Sequence, residues 1–94
     1  TKGKVFVDSG CSRALKKSKG SLLAVGIVDV EGKFERGDVV DICGPEGNRC
    51  ASGLTNYSAA DIAKIKGAKS SGIAAVLGHD FGTEVVHRNN LVVL

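Results

Sequence analysis

Basic side chains near the beginning of the sequence form the pattern with the clearest chemical potential. Arg13, Lys16 and Lys17 fall on one face when 3.6 residues complete a helical turn, and Lys19 follows closely. The first twenty residues carry a formal charge of +5, against +3 for the whole chain of 94 residues. Such a face can follow the phosphates of a nucleic-acid backbone. Cations near the end of a helix also match the helix dipole, so a purely structural role stays open.

Sequence motifs for enzymatic chemistry are absent. The chain contains neither GxxxxGKS/T nor GxGxxG, the glycine-rich patterns that bind nucleotide phosphates, and it lacks the GxSxG nucleophile elbow. No CxxC, HxxxH or CxxH pair occurs. We therefore predict no catalytic residue, no cofactor-binding residue and no metal site in this chain. A zinc site would have to draw on scattered residues, namely Cys11, Cys43, Cys50, His79 and His87.

Two histidines each adjoin a charged residue. Asp80 follows His79, but neighbours in a loop rarely face each other, so a solvated turn is the simpler interpretation. His87 and Arg88 follow a predicted strand, where they can bind a phosphate or carboxylate or can complete a ladder of surface side chains. We favour the ladder.

The three cysteines are an odd number without the spacing of a disulfide framework, so we expect reduced, partly buried thiols. Cys43 and Cys50 flank a turn at Gly44–Arg49 and can approach each other across a hairpin, where oxidation is possible but not required. No apolar run approaches the roughly 18 residues of a membrane span, and no secretory signal is present. We expect a soluble, cytoplasmic protein without membrane contact.

Apolar alternation is clearest in Val25–Ile42, which predicts two strands joined by a charged turn. Val28 and Val30 alternate with Asp29 and Glu31, the period of a half-buried strand. The full predicted order is a strand at Lys4–Val7, a helix at Ser9–Lys19, these two strands, a strand at Arg49–Thr55 distorted at Gly53, helices at Ala59–Lys66 and around Ile73–Leu77, and strands at Glu84–His87 and Leu91–Leu94.

Side-chain oxygens mark where the predicted helices begin. Asp8 is a suitable N-cap for the first helix, Ser58 for the second, and Ser70 or Ser71 for the third.

Ninety-four residues make one domain, residues 1–94. The predicted fold class is mainly β with short α-helices, closed as a small barrel with helices over its ends. The buried face of the first helix is predicted to carry Cys11, Ala14, Leu15 and Ser18.

Two long runs resemble a known family. They are SLLAVGIVDVEGKFERGDVVDI and ASGLTNYSAADIAKIKGAKSSGIAAVLGHDFGTEVVHRNNLVVL. FERGDVV, GLTNYSA and EVVHRNNLV are similar to the PUA domain at the C-terminal end of bacterial glutamate 5-kinases. Asp8-Ser9-Gly10-Cys11 resembles that family's Asp-Ala-Gly-Ala. Ala24 departs from the family, which usually has Pro there, and Cys11 replaces a small apolar residue.

The resemblance implies a PUA-like mixed-sheet pseudobarrel flanked by short helices. It also implies a parent enzyme that transfers the γ-phosphate of ATP to the side-chain carboxylate of L-glutamate, the first step of proline biosynthesis. In the family, ATP, Mg²⁺ and glutamate bind to an N-terminal amino-acid-kinase domain. That domain is absent from this sequence, which begins Thr1-Lys2 and is expected to be a fragment of a longer protein. No catalytic residue can therefore be carried over.

Three functional hypotheses follow. The first is a non-catalytic accessory domain that tunes activity, feedback inhibition or assembly, with its own kinase domain and a homo-oligomer as partners. The second is an RNA-binding module, because other PUA domains bind RNA through their first helix and the following loop. By that analogy the RNA or anion site comprises Arg13, Lys16, Lys17, Lys19, Ser21 and the Leu22–Gly26 segment. The third is a protein-interaction domain that uses exposed sheet edges.

Overall fold

In a computed structural model, the described residues, 2–18, 20–79 and 81–94, form seven strands and three short α-helices. Three single turns of 3-10 helix lie at Ala24–Gly26, Ser70–Gly72 and Arg88–Asn90. The strands are β1 (Gly3–Val7), β2 (Leu22–Leu23), β3 (Ile27–Gly32), β4 (Val39–Cys43), β5 (Arg49–Leu54), β6 (Glu84–Val86) and β7 (Leu91–Val93). The helices are α1 (Ser9–Ser18), α2 (Ala59–Ile65) and α3 (Ile73–Leu77).

Five strands form a mixed sheet in the order β3-β1-β4-β5-β7, and β2 pairs with β6 in a second, two-stranded sheet. Strand β1 is antiparallel to β3 and parallel to β4, with Val5 opposite Val30 on one side and Ile42 on the other. The prediction of a mainly β fold with short helices is confirmed. The two strands of Val25–Ile42 are also confirmed, but they do not pair with each other.

Strand β1 lies between β3 and β4 because the connection at residues 33–38 crosses the beginning of β1. The buried ring of Phe34 packs over Gly3, where an added Cβ would lie 2.6 Å from the ring carbon Cδ2. Only a residue without a side chain permits this crossing, so Gly3 is part of the reason for the strand order.

A β-bulge overturns the predicted burial of one residue. The register of β1 with β3 shifts between Phe6 and Val7. Phe6 pairs with Asp29 and Val7 pairs with Ile27, so that Val28 has no partner in β1. Val28, predicted to face the core, is 55% exposed, whereas Ile27 is 1% exposed. Perfect alternation was therefore the wrong assumption for this strand.

Gly53 does not distort β5, contrary to the prediction. The irregularity of the β4–β5 ladder lies at the other end, between Ile42 and Cys43, and Gly53 pairs regularly with Val40. Gly53 instead permits close packing, since an added Cβ would lie 2.5 Å from the carbonyl oxygen of Asn90 and 2.7 Å from Cγ1 of Val86.

The core joins the inner face of the large sheet to the helices. Helix α2 buries Ile62 and Ile65, as predicted, and α3 buries Ile73. Val76, predicted to be buried with Ile73, is 51% exposed because α3 is a single short turn against the surface. Leu77 is partly buried against the core.

Helix α1 buries a different face from the predicted one. Leu15 is buried and Cys11 is partly buried, but Ala14 is exposed and Ser12 takes its place among the buried residues. The neighbours of α1 explain this difference, because the helix contacts β5 and Ser12 lies beside Gly44, where the β4–β5 turn begins. The side chain of Ser18 lies outside the described residues.

The helix caps agree with the sequence at two of three positions. The Asp8 carboxylate accepts from the Cys11 N–H at 2.7 Å, and the Ser58 hydroxyl accepts from the Asp61 N–H at 3.2 Å. The third prediction is wrong, because α3 begins after Gly72, at the end of the preceding 3-10 turn.

Within the described part of the chain, no helix has the length and apolar character needed to cross a bilayer.

Candidate anion and nucleic-acid surface

The predicted basic residues lie on the exposed side of α1. Arg13, Lys16 and Lys17 are all exposed, while Lys19 lies outside the described residues. The structure does not gather them into one site. Arg13 and Lys16 line a groove on one side of the helix, Ser21 lies in a second groove on the other side, and Lys17 lines neither.

The first of these, here termed the turn-side groove, separates α1 from the β4–β5 turn and has a volume of about 490 Å³. Gly44 lies beneath it, and an added Cβ there would be 3.3 Å from both the Ser12 hydroxyl oxygen and the Asn48 side-chain oxygen. Two polar side chains thus converge where Gly44 leaves space. The groove is lined by Ser9, Ser12, Arg13, Lys16, Pro45, Glu46 and Asn48.

The second groove, here termed the β2-side groove, has a volume of about 360 Å³ and a more apolar lining. It includes the exposed side chains of Leu23 and Val25. Ser21 belongs to it, and its hydroxyl accepts from the backbone N–H of Arg88 at 2.9 Å. A main role of Ser21 is therefore to tie the start of β2 to the Arg88–Asn90 turn.

Cys11 is the thiol that lines the β2-side groove. Burial, together with the nearby Asp8 carboxylate and Cys50, raises the pKa of Cys11 to about 11. Burial also raises the pKa of Cys43. At neutral pH these thiols are protonated and therefore weak nucleophiles. All three cysteines are free, as expected, and the Cys50 thiol donates to the carbonyl oxygen of Ile42 at 3.3 Å.

A cluster that sequence reasoning missed surrounds Phe81. The Arg36 guanidinium carbon lies 3.9 Å from the centre of the Phe81 ring, and the ring of His79 lies 5.0 Å away, centre to centre. His79 Nε2 is 3.1 Å from Oδ2 of Asp61, on α2. The partner of His79 is thus eighteen residues away in the sequence, and no local motif predicts this pairing. Asp80, its predicted neighbour in the turn, lies outside the described residues.

His87 has a structural role in the Arg88–Asn90 turn. Its Nδ1 accepts from the Asn89 N–H at 3.1 Å and so caps the turn. We therefore assign His87 to this cap, and not to either of the two predicted alternatives, a ladder of surface side chains or an anion-binding site. The described residues contain no group of three or more His, Cys, Asp or Glu side chains placed to hold a metal ion.

Curated protein sequences align with this chain over nearly all of its length. The glutamate 5-kinase of Dehalococcoides mccartyi strain CBDB1 is 51% identical over 94 residues, which cover 100% of this chain and 25% of that protein. The glutamate 5-kinase of Trichlorobacter lovleyi is 51% identical over 92 residues, 98% of this chain and 24% of that protein. The chain thus corresponds to about a quarter of these relatives, at their C-terminal part.

Solved structures with the same fold include a PUA domain from Aeropyrum pernix K1, crystallised as a tartrate complex. It is 28% identical, has a TM-score of 0.66 and aligns over 92% of this chain and 41% of that one. The archaeal box H/ACA sRNP Nop10–Cbf5 complex contains a chain that is 21% identical, with a TM-score of 0.61, over 66% of this chain and 20% of that one. At that identity the likeness shows the fold alone.

The family model for the PUA domain matches residues 3–77, which run from the first residue of β1 to the last residue of α3. The mixed sheet, the short helices and the structural neighbours agree with that match. This chain therefore belongs to the PUA domain family.

Proposed function

We propose that this chain is a non-catalytic accessory domain of a glutamate 5-kinase, the enzyme that phosphorylates L-glutamate with ATP. One observation carries the proposal: the chain is 51% identical, over all 94 residues, to the corresponding quarter of a named glutamate 5-kinase. In this proposal ATP and Mg²⁺ bind to the kinase domain, and the parent enzyme acts in proline biosynthesis in the cytoplasm. The PUA domain tunes activity, feedback inhibition or assembly.

The experiment compares the complete gene product with a version that lacks residues 1–94 of this chain. Formation of glutamyl phosphate from glutamate and ATP, trapped as the hydroxamate, is expected from both proteins. The truncated protein should differ in its sensitivity to inhibition or in its oligomeric state. A coding region without an amino-acid-kinase domain, or a complete protein without glutamate-dependent activity, would rule the proposal out.

Exposed aliphatic side chains support contact with another domain or with a second copy. Val39 and Leu54 are opposite each other on β4 and β5, and Val92 on the edge strand β7 is 63% exposed. These residues lie on the outer face of the large sheet, where a partner can cover them. Sedimentation of the 94-residue chain, compared with the complete protein, separates self-association of this domain from association through the kinase domain.

RNA binding is the second candidate function, because Arg13, Lys16 and Lys17 are all exposed on α1. This candidate expects binding to structured RNA that weakens steeply with salt, since cations that contact phosphates release counterions. Replacement of Lys16 and Lys17 by Glu should abolish the binding. Failure of the wild-type chain to bind tRNA at low salt would exclude this candidate.

A further inference from the structure

We infer that the outer face of the large sheet docks on the domain that precedes these residues in the parent polypeptide. The inference rests on the proposed function, in which that domain is the kinase domain. The docking surface, here termed the outer patch, consists of four aliphatic residues that are between 40% and 63% exposed, namely Val39, Leu54, Val92 and Leu94.

The strand register makes the outer patch continuous. Val39 is directly opposite Leu54, and Val92 is directly opposite Ser52, two residues before Leu54 on the same face. Diagonal neighbours of this kind lie about 7–8 Å apart across a sheet, within reach of long side chains. Leu94 follows Val92 by two residues and extends the patch along the end of the chain. These side chains therefore form one apolar surface, and such surfaces mark interaction sites more often than single exposed residues do.

The other face of the same strands shows that this exposure is specific to the outer side. Val40 and Ala51, which alternate with the outer residues of β4 and β5, are fully buried in the core. A strand that is apolar on both faces is typical of a sheet covered on both sides. The core covers the inner face, so the outer face of these strands is the one that a partner can still cover.

Polar residues border the outer patch. Lys4, Asp41 and Ser52 are neighbours across β1, β4 and β5, and the Arg49 guanidinium lies 3.6 Å from the Asp41 carboxylate. An apolar centre with a polar border is the usual composition of a protein interface. The border also limits the apolar area to the side of the sheet formed by β4, β5 and β7.

Lys2 shows where a preceding domain would be attached. Its backbone N–H donates to the carbonyl oxygen of Val39 at 3.0 Å, just before β1 begins beside β4. A residue spans at most about 3.6 Å, so a chain that leads into Lys2 arrives next to Val39 and Leu54. In the glutamate 5-kinase of Dehalococcoides mccartyi strain CBDB1 the match covers only the C-terminal 25%, and the rest of that protein precedes it.

This attachment favours the preceding domain over a second copy of the chain. Stable interfaces between separate proteins bury about 1,200–2,000 Å² in total, whereas the outer patch has only four aliphatic side chains. A short linker raises the effective concentration of the attached domain to the millimolar range, so that a small patch suffices. Docking then removes the patch from water, which stabilises the docked arrangement.

Methyl NMR of the complete gene product, labelled at Val and Leu, tests the docking. Its spectrum is compared with that of residues 1–94 after cleavage at a protease site inserted before Thr1 and separation from the preceding domain. We expect the methyl signals of the outer patch to differ between the two samples. The signals of Val28 and Val76, which are exposed elsewhere on the domain, should be the same in both.

Val92→Thr in the complete protein tests the role of the patch, because Thr keeps the branched shape of Val and replaces a methyl group by a hydroxyl. The ratio of docked to undocked protein should fall by about three- to tenfold, since less apolar surface is buried. The signals of Val39 and Leu54 should then move toward their positions in the cleaved sample.

Val28→Thr is the matched control. Val28 is an exposed valine on β3, and β1 separates that strand from β4. The same substitution there should leave the docked ratio within about twofold of wild type, because no apolar surface of the outer patch is lost. Equal effects of Val28→Thr and Val92→Thr would overturn the inference.

Two further results would also overturn it. Identical patch signals in the complete and cleaved samples would show that the preceding domain does not cover the patch. Signals of the separated residues 1–94 that move to the docked positions as their concentration rises would identify a second copy as the occupant.

Hydroxamate formation by the same complete protein reports separately on the proposed function. Glutamate-dependent activity together with unchanged patch signals would refute the docking and leave the kinase assignment intact. Changed patch signals without this activity would refute the kinase assignment and leave docking on the preceding domain intact.

Discussion

The hydroxyl of Tyr57 donates a hydrogen bond to the backbone carbonyl oxygen of Gly82 at 2.6 Å. The same hydroxyl accepts from the N–H of Phe81 at 2.9 Å. Tyr57 is fully buried and directly precedes the N-cap of α2, whereas Phe81 and Gly82 belong to the loop that leads to β6. One side chain thus fixes the loop that carries the Phe81 cluster to the core of the domain.

Tyr57→Phe tests this anchor, because it keeps the ring and removes both hydrogen bonds. We expect a loss of about 1–3 kcal/mol in the free energy of unfolding, since the backbone groups of a partly buried loop lose a partner. Urea unfolding followed by circular dichroism measures the loss. Faster hydrogen exchange is expected at the Phe81 amide. A loss below about 0.5 kcal/mol with unchanged exchange would show that other contacts hold the loop.

Gly53→Ala tests the close approach of β5 to the end of the chain. The added methyl group would meet the Asn90 carbonyl oxygen and the Val86 side chain. Because the clash involves backbone as well as side chain, we expect a loss of about 2–3 kcal/mol or more. The measurement is the urea midpoint with an unchanged m-value.

Gly72→Ala is the matched control for that substitution. Gly72 lies before α3 with φ of −94°, and an added Cβ there meets no atom within 4 Å. The same Gly-to-Ala change should therefore be neutral or stabilising by about 0.4–1 kcal/mol, through the entropy of the unfolded chain. Equal losses at the two positions would show that packing against Asn90 is not the cause.

Gly26→Ala tests the contact between α1 and the 3-10 turn after β2. The added Cβ would lie 2.7 Å from Sγ and 2.9 Å from Cβ of Cys11, and a loss of about 1–3 kcal/mol is expected. Cys11→Gly removes both clashing atoms, so the double variant should be more stable than additivity predicts, by about 1 kcal/mol or more. Gly26→Ala combined with the distant Gly72→Ala should be additive. A coupling near zero for the Cys11 pair would contradict the proposed contact.

Alkaline pH should destabilise the domain through Cys11. Its pKa rises from the ordinary value of 9.0 to about 11 on folding. The protonated thiol is favoured in the folded state, so this contribution is complete below pH 9 and is lost as the pH rises toward 11. Two pKa units correspond to about 2.7 kcal/mol, and partial solvent exposure reduces the expected effect to about 1 kcal/mol.

Unfolding of wild type and Cys11→Ala, measured between pH 8 and pH 11, checks this expectation. The stability of wild type should fall more steeply with pH than that of the variant. Cys43, whose pKa is also raised, is present in both proteins and cancels in the comparison. Parallel curves would show that Cys11 ionises equally in the folded and unfolded states.

Several features were predictable because they depend on residues close together in the chain. Asp8 and Ser58 cap their helices through N–H groups three residues away, and the spacing of Ile62 and Ile65 defines one face of a single helix. The strand positions followed from alternation in the same way. The family resemblance added the fold, which the comparisons support independently.

The candidate sites were less predictable because they join distant segments. The basic residues of α1 were visible in the sequence, but the placement of Arg13 and Lys16, without Lys17, in the turn-side groove depends on where the β4–β5 turn packs. The pairing of His79 with Asp61 spans eighteen residues, and no spacing rule connects a loop histidine to the first turn of an earlier helix.

The sequence by itself determined the local elements of this protein: its capped helices, its alternating strands and the excess of positive charge in the first helix. Only the tertiary structure decided that β1 separates β3 from β4, that a bulge exposes Val28, and that α1 buries Ser12 rather than Ala14. The physical reason is the range of the interactions. Caps and periodicity act within one or two turns, whereas strand order and burial depend on backbone pairing between segments that are far apart in the chain.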